Sequence, residues 1–295
     1  MKALIFGSNG QDGYYLSSLL KSENIETIST SRSSGDILGD ISNFNFVKSI
    51  INQHKPDYIF HFAANSSTNH NAIFDNNNSI SVGTLNILES VKLHSPNSRV
   101  FLSGSAMQFA NIGEPIDENT QFFGSSPYAV SRIHSTYLAR YYRVHFGLQI
   151  FVGYLFNHDS PHRKNSHINQ KIVEAVIRIS KGSSEKLYIG DISVRKEFNF
   201  AGDIVNAIWK FSNQNKYFEL IIGSGVVYKI EDWLEYCFKK VDLNWQNHVI
   251  IQNHFTPEYH TLISNPALLK SLGWKAEVDI YQLADMMISG AKNNL

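Results

Sequence analysis

The 295-residue sequence predicts an α/β protein, a doubly wound parallel sheet followed by a smaller mixed α/β lobe. Three observations carry that expectation. Short apolar runs alternate with helical patterns through the first half, a glycine triplet follows the first run directly, and the alternation loosens beyond about Asn157.

"KALIFG" is a continuous apolar run of strand length, as a strand covered on both faces should be. "DGYYLSSLLKSE" then spaces its apolar residues as a helix does, and "IETIST" returns to strand. The same alternation continues through the helix "FNFVKSIINQHK", the strand "DYIFHFA", the helix "GTLNILESVKLHS" and the strand "RVFLSGS". A long helix, "SPYAVSRIHSTYLARYYRVHF", and the strand "LQIFVGYLF" complete the first half. Parallel strands need crossovers, which places helices on both faces of the sheet. Further on, "NQKIVEAVIRISKGS", "AGDIVNAIWKFSNQ", "IEDWLEYCFKKV" and "VDIYQLADMMISGAKNN" read as helices and "KLYIG" as a short strand. The division falls at 1–156 and 157–295, with some chain exchanged between the parts. The second lobe is expected to cover the carboxyl ends of the strands, where open α/β sheets bind ligands.

Composition narrows the function. Lys+Arg and Asp+Glu number 26 each, so no nucleic-acid partner is expected. Cys237, the single cysteine, allows no intrachain disulfide and fits a reducing compartment, and no Cys/His set has metal-ligand spacing. "MKALIF" leads straight into glycines rather than to a cleavage site, and no apolar run approaches the ~20 residues of a membrane span. A cytoplasmic chain with no metal and no membrane partner is expected.

In "LIFGSNGQDGYYL", Gly7, Gly10 and Gly13 are spaced G-x-x-G-x-x-G between a strand and a helix. Glycine allows the tight turn and the close approach of a pyrophosphate, and the helix start supplies N–H donors and a positive dipole end. In that context residues 1–156 read as a Rossmann-type dinucleotide-binding domain. The second strand ends in "STSRSS", with Arg32 among serines and no acid before Asp36. A carboxylate there would suit ribose hydroxyls, whereas arginine and hydroxyls suit a 2′-phosphate, so NADP (NADPH) is the expected cofactor. Asp40 and Ile41 are candidate adenine contacts.

Tyr128 and Arg132 stand one helical turn apart in "SPYAVSRIHS" and share a face. A phenol is a poor acid or base at neutral pH unless a nearby cation favours its ionised form. Serines at the strand end "FLSGSAMQF" are placed to hydrogen-bond the same substrate oxygen.

The glycine spacing, the serine-bearing strand end and the Tyr-x-x-x-cation pair together resemble the extended short-chain dehydrogenase/reductases that act on nucleotide sugars. "GSNGQDGYYL" and "YLFNHDSPHR" look like GDP-mannose 4,6-dehydratases, and "GDISVRKEFNFAGDIVNAIW" and "LISNPALLKSLGWKAEV" match later blocks of that family and of the GDP-4-keto-6-deoxymannose reductases. "KPDYIFHFAANSST" and the compact length look more like the reductases. The resemblance implies that Gly7, Gly10, Gln11, Asp12 and Gly13 hold the pyrophosphate, that Arg32 and Ser33 meet the 2′-phosphate, and that Ala63 and Ala64 line the cofactor. It implies Ser105 on the sugar oxygen, Tyr128 as acid/base with Arg132 as its cation, and Asn157, Lys171, Arg195 and Lys196 on the substrate. It also implies a GDP-linked substrate and a homodimer formed through the long helix.

Four departures qualify the resemblance. Ala106 or Met107 stands where the dehydratases carry a glutamate, Gln108 cannot titrate, and no carboxylate follows before Glu114. Arg132 replaces the expected lysine, keeping the charge in a bulkier planar fork that relays no proton. Phe255 and Thr256 stand near the place of a diphosphate-gripping arginine, and Lys196 stands at a second, with Arg163 and His260 as candidate replacements. Reduction of a 4-keto-6-deoxy sugar is therefore the expected activity. A 4,6-dehydratase is the alternative, and a catalytically weakened nucleotide-sugar or NADP-binding relative is a third.

Overall fold

A computed structural model of the chain describes residues 1–252 and 254–294. The first half runs β1 (Lys2–Phe6), α1 (Gln11–Ser22), β2 (Glu26–Ser31), β3 (Ile37–Leu38), α2 (Phe44–His54), β4 (Tyr58–His61), α3 (Ile73–Asn76), α4 (Gly83–His94), β5 (Arg99–Ser105), α5 (Pro127–Phe146) and β6 (Gln149–Leu155). It continues with β7 (His158–Asp159), α6 (Ile168–Ser180), β8 (Leu187–Ile189), β9 (Arg195–Glu197), β10 (Asn199–Phe200), α7 (Ala201–Ser212) and β11 (Glu219–Ile222). The last part holds β12 (Val227–Lys229), α8 (Ile230–Lys239), β13 (Val249–Ile251), β14 (Thr261–Leu262), α9 (Ala267–Ser271) and α10 (Ile280–Asn294).

Seven strands form one parallel sheet in the order β3-β2-β1-β4-β5-β6-β11. One face packs on α2, α4 and α5 through residues such as Val47, Ile87, Leu88 and Ala139. The other packs on α1 and α7 through Leu16, Leu20, Ile204, Ile208 and Phe211. Strands buried on both faces explain the continuous apolar runs, and each fully buried aliphatic side chain contributes roughly 1.5–3 kcal/mol. The strand order reverses between β1 and β4, which opens a crevice at their carboxyl ends.

The helix ends follow local chemistry. Asn43 caps α2 by accepting from Phe46 N, and Ser126 caps α5 by accepting from Ala129 N, with Pro127 in the first turn. Gly147, at φ +67°, stops α5. The sequence predicts a helix only from Gly83, but helical backbone starts with a 3₁₀ turn at His70–Ala72 and passes through α3 and π-helical turns at Asn77–Val82 into α4. The polar Asn run hides this. Ser135 on α5 supports the widened turn by donating to the Ile80 carbonyl at 3.2 Å.

The chain crosses the 156/157 division twice over. Helix α7 covers the large sheet, and β11 extends that sheet beside β6. Helix α9 also joins the core of the large sheet through Leu269, whereas α6, α8 and α10 close a separate core that includes Val176, Trp233, Phe238 and Met287. Glu197 is fully buried there and accepts from Ser224 N and Ser264 N, both at 2.7 Å, tying β9 to the turns that follow β11 and β14. Among the described residues, no helix is long and apolar enough to cross a membrane. Val130, Tyr137, Tyr141 and Val144 leave an exposed stripe along α5, and Leu85 and Leu93 are exposed on α4.

Candidate functional site

The chain leaves β1 at Gly7, whose φ of +87° only glycine adopts readily. A Cβ there would lie 2.5 Å from Ala63 N, and one on Gly13 would lie 2.6 Å from Gly7 O. These two glycines let the loop fold against β4 and against itself. Gly10 is the N-cap of α1 and supplies no side-chain cap, so the helix start keeps free N–H groups and the positive dipole end facing the crevice.

A cavity of about 420 Å³ opens at the carboxyl ends of β1, β4, β5 and β6. Gly7, Gly10, Gln11, Asp12 and Ala64 line its glycine-loop side. Ser105, Tyr128, Arg132 and Asn157 line the side formed by β5, α5 and the end of β6. The structure therefore brings the predicted serine, tyrosine and cation to one space with the glycine loop. Gly13 and Ala63 pack behind that loop.

Other predicted residues lie elsewhere. Arg32 and Ser33 are exposed in the turn after β2, where Asn9 Nδ2 donates to Ser33 Oγ at 3.0 Å. Asp36 is folded back onto β2, accepting from Ser29 N at 2.8 Å and Ser29 Oγ at 2.7 Å, and these bonds hold its carboxyl below the ordinary value. Asp40 is exposed and accepts from Ser42 N, while Ile41 is a core residue against Gly83 whose carbonyl accepts from Asn86. Lys171 donates to the Tyr188 carbonyl at 3.0 Å, outside the cavity wall. Arg195 is exposed on β9, and Lys196 is buried beside it.

At the strand end, Ser105 Oγ accepts from Met107 N at 3.2 Å, which leaves its proton free to donate. Gln108 is fully buried, accepting from Ser105 N at 2.9 Å and donating to Thr136 at 3.1 Å. Ala106 and Met107 line the cavity beside Ser105. Among the described residues lining it, only Asp12 and Glu258 carry carboxylates, and Glu258 hydrogen-bonds Thr68.

Tyr128 and Arg132 are 8% and 5% exposed. The guanidinium carbon lies 5.1 Å from the centre of the Tyr128 ring. Arg132 Nη1 donates to the carbonyl of Ser103 and, at 2.9 Å, to its hydroxyl. Nearby, His61 is buried, and neither ring nitrogen has a hydrogen bond of ordinary geometry, although the Ser79 and Ile80 carbonyls are close. Burial, reinforced by the charge of Arg132, pushes its pKa down to about 3, so it is neutral near pH 7.

From the "NHDSPHRK" block the sequence names Asn157 and, as a candidate replacement for the missing arginine, Arg163, yet the block supplies most of a wall. His158, His162, Arg163 and Lys164 line the cavity, joined by His167 just beyond the block. His158 Nδ1 faces the Phe156 carbonyl at 2.7 Å and Nε2 faces Asp12 at 2.9 Å, a setting with an acceptor for each proton of an imidazolium. Burial alone would lower His158 and raise Asp12, but their mutual charge and hydrogen bond prevail, so His158 is raised and Asp12 lowered. Gln11 joins the same contact, donating to the His158 carbonyl at 3.2 Å and accepting from Ser160 at 2.9 Å. Arg163 Nε stands 3.0 Å from Asp159, and behind them burial brings Lys196 down to about 8 despite Asp159. The density of His, Asp, Arg and Lys in these eight residues is the signal that could have found the wall.

Of the candidate replacements for the missing arginine, Arg163 reaches the cavity, whereas His260 is exposed and 3.8 Å from Asp191. Phe255 lies over Gly190, where a Cβ would be 2.2 Å from its ring. Arg132, Arg163 and Lys164, with His158 paired to Asp12, give the cavity more positive than negative charge, which suits anionic ligands. No group of three His, Cys, Asp or Glu side chains among the described residues is placed to hold a metal ion.

Comparison with known proteins places this geometry. A family model described as GDP-mannose 4,6 dehydratase matches residues 4–287. GDP-mannose 4,6 dehydratase 1 of Arabidopsis thaliana is 30% identical over 97% of this chain and 88% of its own. GDP-mannose 4,6-dehydratase of Vibrio cholerae is 25% identical over 97% of this chain and 92% of its own. Among solved structures, RMD from Pseudomonas aeruginosa complexed with NADPH superposes with a TM-score of 0.88 at 20% identity, over 100% of this chain and 99% of that one. dTDP-glucose 4,6-dehydratase from Bacillus anthracis in complex with NAD gives 0.87 at 17% identity, over 100% and 97%. At these identities the structural matches establish the Rossmann-type fold.

Proposed function

The chain belongs to the GDP-mannose 4,6-dehydratase family of nucleotide-sugar-modifying enzymes, and from that premise we propose that it is an NADPH-dependent reductase of a GDP-linked 4-keto-6-deoxy sugar. The observation that carries this choice is the strand end. Ser105, Ala106 and Met107 face the cavity there without a carboxylate, and Gln108 is turned inward and saturated. Elimination needs a second group to move a proton, whereas reduction needs one.

The residues fit a dinucleotide. Gly7 and Gly13 let the loop fold tightly against β4 and against itself, the start of α1 is uncapped, and Asp36 is engaged by Ser29, leaving Arg32 and Ser33 to meet a 2′-phosphate. The chemistry a bound nicotinamide supplies is hydride transfer. In the reduction such a hydride would effect, Tyr128 would give its proton to the sugar carbonyl oxygen as that oxygen takes up the C=O electron pair. Ser105 donates a hydrogen bond to the same oxygen. Arg132 faces the negative charge left on Tyr128, which solvent then reprotonates. Asn157 and Arg163, which also line the cavity, would contact the anionic part of the substrate or cofactor.

The test is loss of NADPH absorbance with GDP-4-keto-6-deoxymannose, in wild type and Tyr128→Phe. Turnover that disappears in the variant supports the reductase. Absence of turnover in wild type that still binds NADPH removes it.

A 4,6-dehydratase is the second reading, favoured by the names of the curated relatives. It requires another proton carrier, and Glu258 is the carboxylate on the cavity wall that is not paired with a histidine. Formation of a 4-keto sugar from GDP-mannose, lost in Glu258→Gln, would establish it.

The exposed stripe on α5 and α4 is the face on which a second copy of the chain docks. Tyr141→Glu is expected to shift the protein from dimer to monomer in sedimentation.

A further inference from the structure

Arginine at position 132 needs an anchor that a lysine would not. Its planar fork is bulkier and longer, and the energy of a cation beside a phenolate depends on a fixed separation. Here one residue of β5 provides the anchor. Arg132 Nη1 donates to both the carbonyl and the hydroxyl of Ser103, and that hydroxyl in turn donates to the His61 carbonyl at 2.8 Å. Ser103 is 5% exposed, so these bonds are sheltered from water. Among the described residues no carboxylate forms an ion pair with Arg132, and its Nε has no hydrogen-bond partner. The neighbouring His61 is neutral near pH 7 and adds no second charge. The guanidinium is a buried, uncompensated cation, held in place by neutral groups, with the Tyr128 ring 5.1 Å away.

We infer that Ser103 is a positioning residue, whose hydroxyl fixes the Arg132 guanidinium against Tyr128 and so lets an arginine serve where a lysine is expected. This rests on the reading of Tyr128 as the proton donor. Ser103 lines the cavity, but in that role it acts through Arg132 and not on the substrate. The hydroxyl also distinguishes Ser103 from a residue that offers only its main-chain carbonyl.

The test compares Ser103→Ala, Ser103→Thr, Arg132→Lys and the pair Ser103→Ala/Arg132→Lys. Ser103→Ala is expected to lower kcat about 10-fold, the scale of a lost hydrogen bond to a charged group, with KM changed less than about threefold. Ser103→Thr, which keeps the hydroxyl, should recover most of that loss. In the Arg132→Lys background the alanine change should cost less than about threefold, because an ammonium can rest on the carbonyl alone. Equal losses in both backgrounds would overturn the inference, since a merely structural serine acts alike in each.

A second readout needs no substrate. Ultraviolet difference titration of each protein against its own Tyr128→Phe counterpart follows that phenol in isolation. Ionisation at higher pH after Ser103→Ala, and no movement on adding the same change to Arg132→Lys, supports the inference even in a chain that turns over no keto sugar. An unmoved titration after Ser103→Ala sinks it whatever the activity, and does so even if the threonine variant does not fold.

Discussion

Asp12 Oδ1 and His158 Nε2 lie 2.9 Å apart although 146 residues separate them in the chain. The first is in the opening turn of the cofactor-loop helix and the second begins the basic wall of the cavity. Asp12 keeps a fifth of its side chain exposed, whereas His158 is 9% exposed. Removing one partner should cost about 1–3 kcal/mol, below the range for fully buried pairs. Asp12→Asn is therefore expected to lower Tm by several degrees and to weaken NADPH binding, measured by thermal denaturation and nicotinamide fluorescence.

The same pair has a pH signature. Asp12 is lowered in the folded state, so its contribution is full above the unfolded value near ~4 and is lost as pH falls through the lower folded one. His158 is raised, so its contribution is full below the unfolded value near ~6.5 and is lost as pH rises through the higher folded one. The pair stabilises most between about pH 4 and 6.5. The Tm difference between wild type and Asp12→Asn should be largest in that window and shrink above it. A difference that grows with pH would contradict the assignment.

His61 predicts acid sensitivity of the opposite origin. Its folded value is depressed to about 3, so the neutral form stabilises the fold above ~6.5 and each pH unit below that costs about 1.4 kcal/mol until the folded value is reached. His61→Gln removes this titration. Its Tm should fall less steeply than that of wild type between about pH 6.5 and 4, where the unfolded histidine is protonated and the folded one is not.

Tyr128→Phe is expected to lower kcat by about 100-fold or more while NADPH still binds, since only the transferred proton is lost. Stopped turnover with intact fluorescence of the bound nicotinamide is the diagnostic combination.

Cofactor choice should follow Arg32. Arg32→Ala is expected to weaken NADPH binding about 10-fold, the scale of a lost bond to a charged group, and to leave NADH nearly unchanged. Equal weakening of both would remove the 2′-phosphate role.

Much of the architecture was legible because buried parallel strands are written as unbroken apolar runs, and because Ser126-Pro127 and Gly147 mark the ends of α5. Ser105, Tyr128 and Arg132 were legible because two of them lie one turn apart and the third closes a strand. The Asp12–His158 contact was not, since sequence offers no periodicity that joins residues so far apart. Ile41 misled for a physical reason: an apolar residue after a strand suits an adenine ring and a core equally, and Gly83 and Asn86 claim it for the core. The π-helical turns at Asn77–Val82 were hidden because their support is Ser135, on another helix.

The return of β11 to the edge of the large sheet has a consequence for biosynthesis. Until Glu219–Ile222 leaves the ribosome, β6 presents an unpaired edge and Phe101 and Phe151 lack their full cover. A nascent chain stopped near residue 156 is thus a template for wrong strand pairing rather than a finished domain. Because its closing contacts span so much of the chain, the protein should fold slowly and lose both lobes in a single transition.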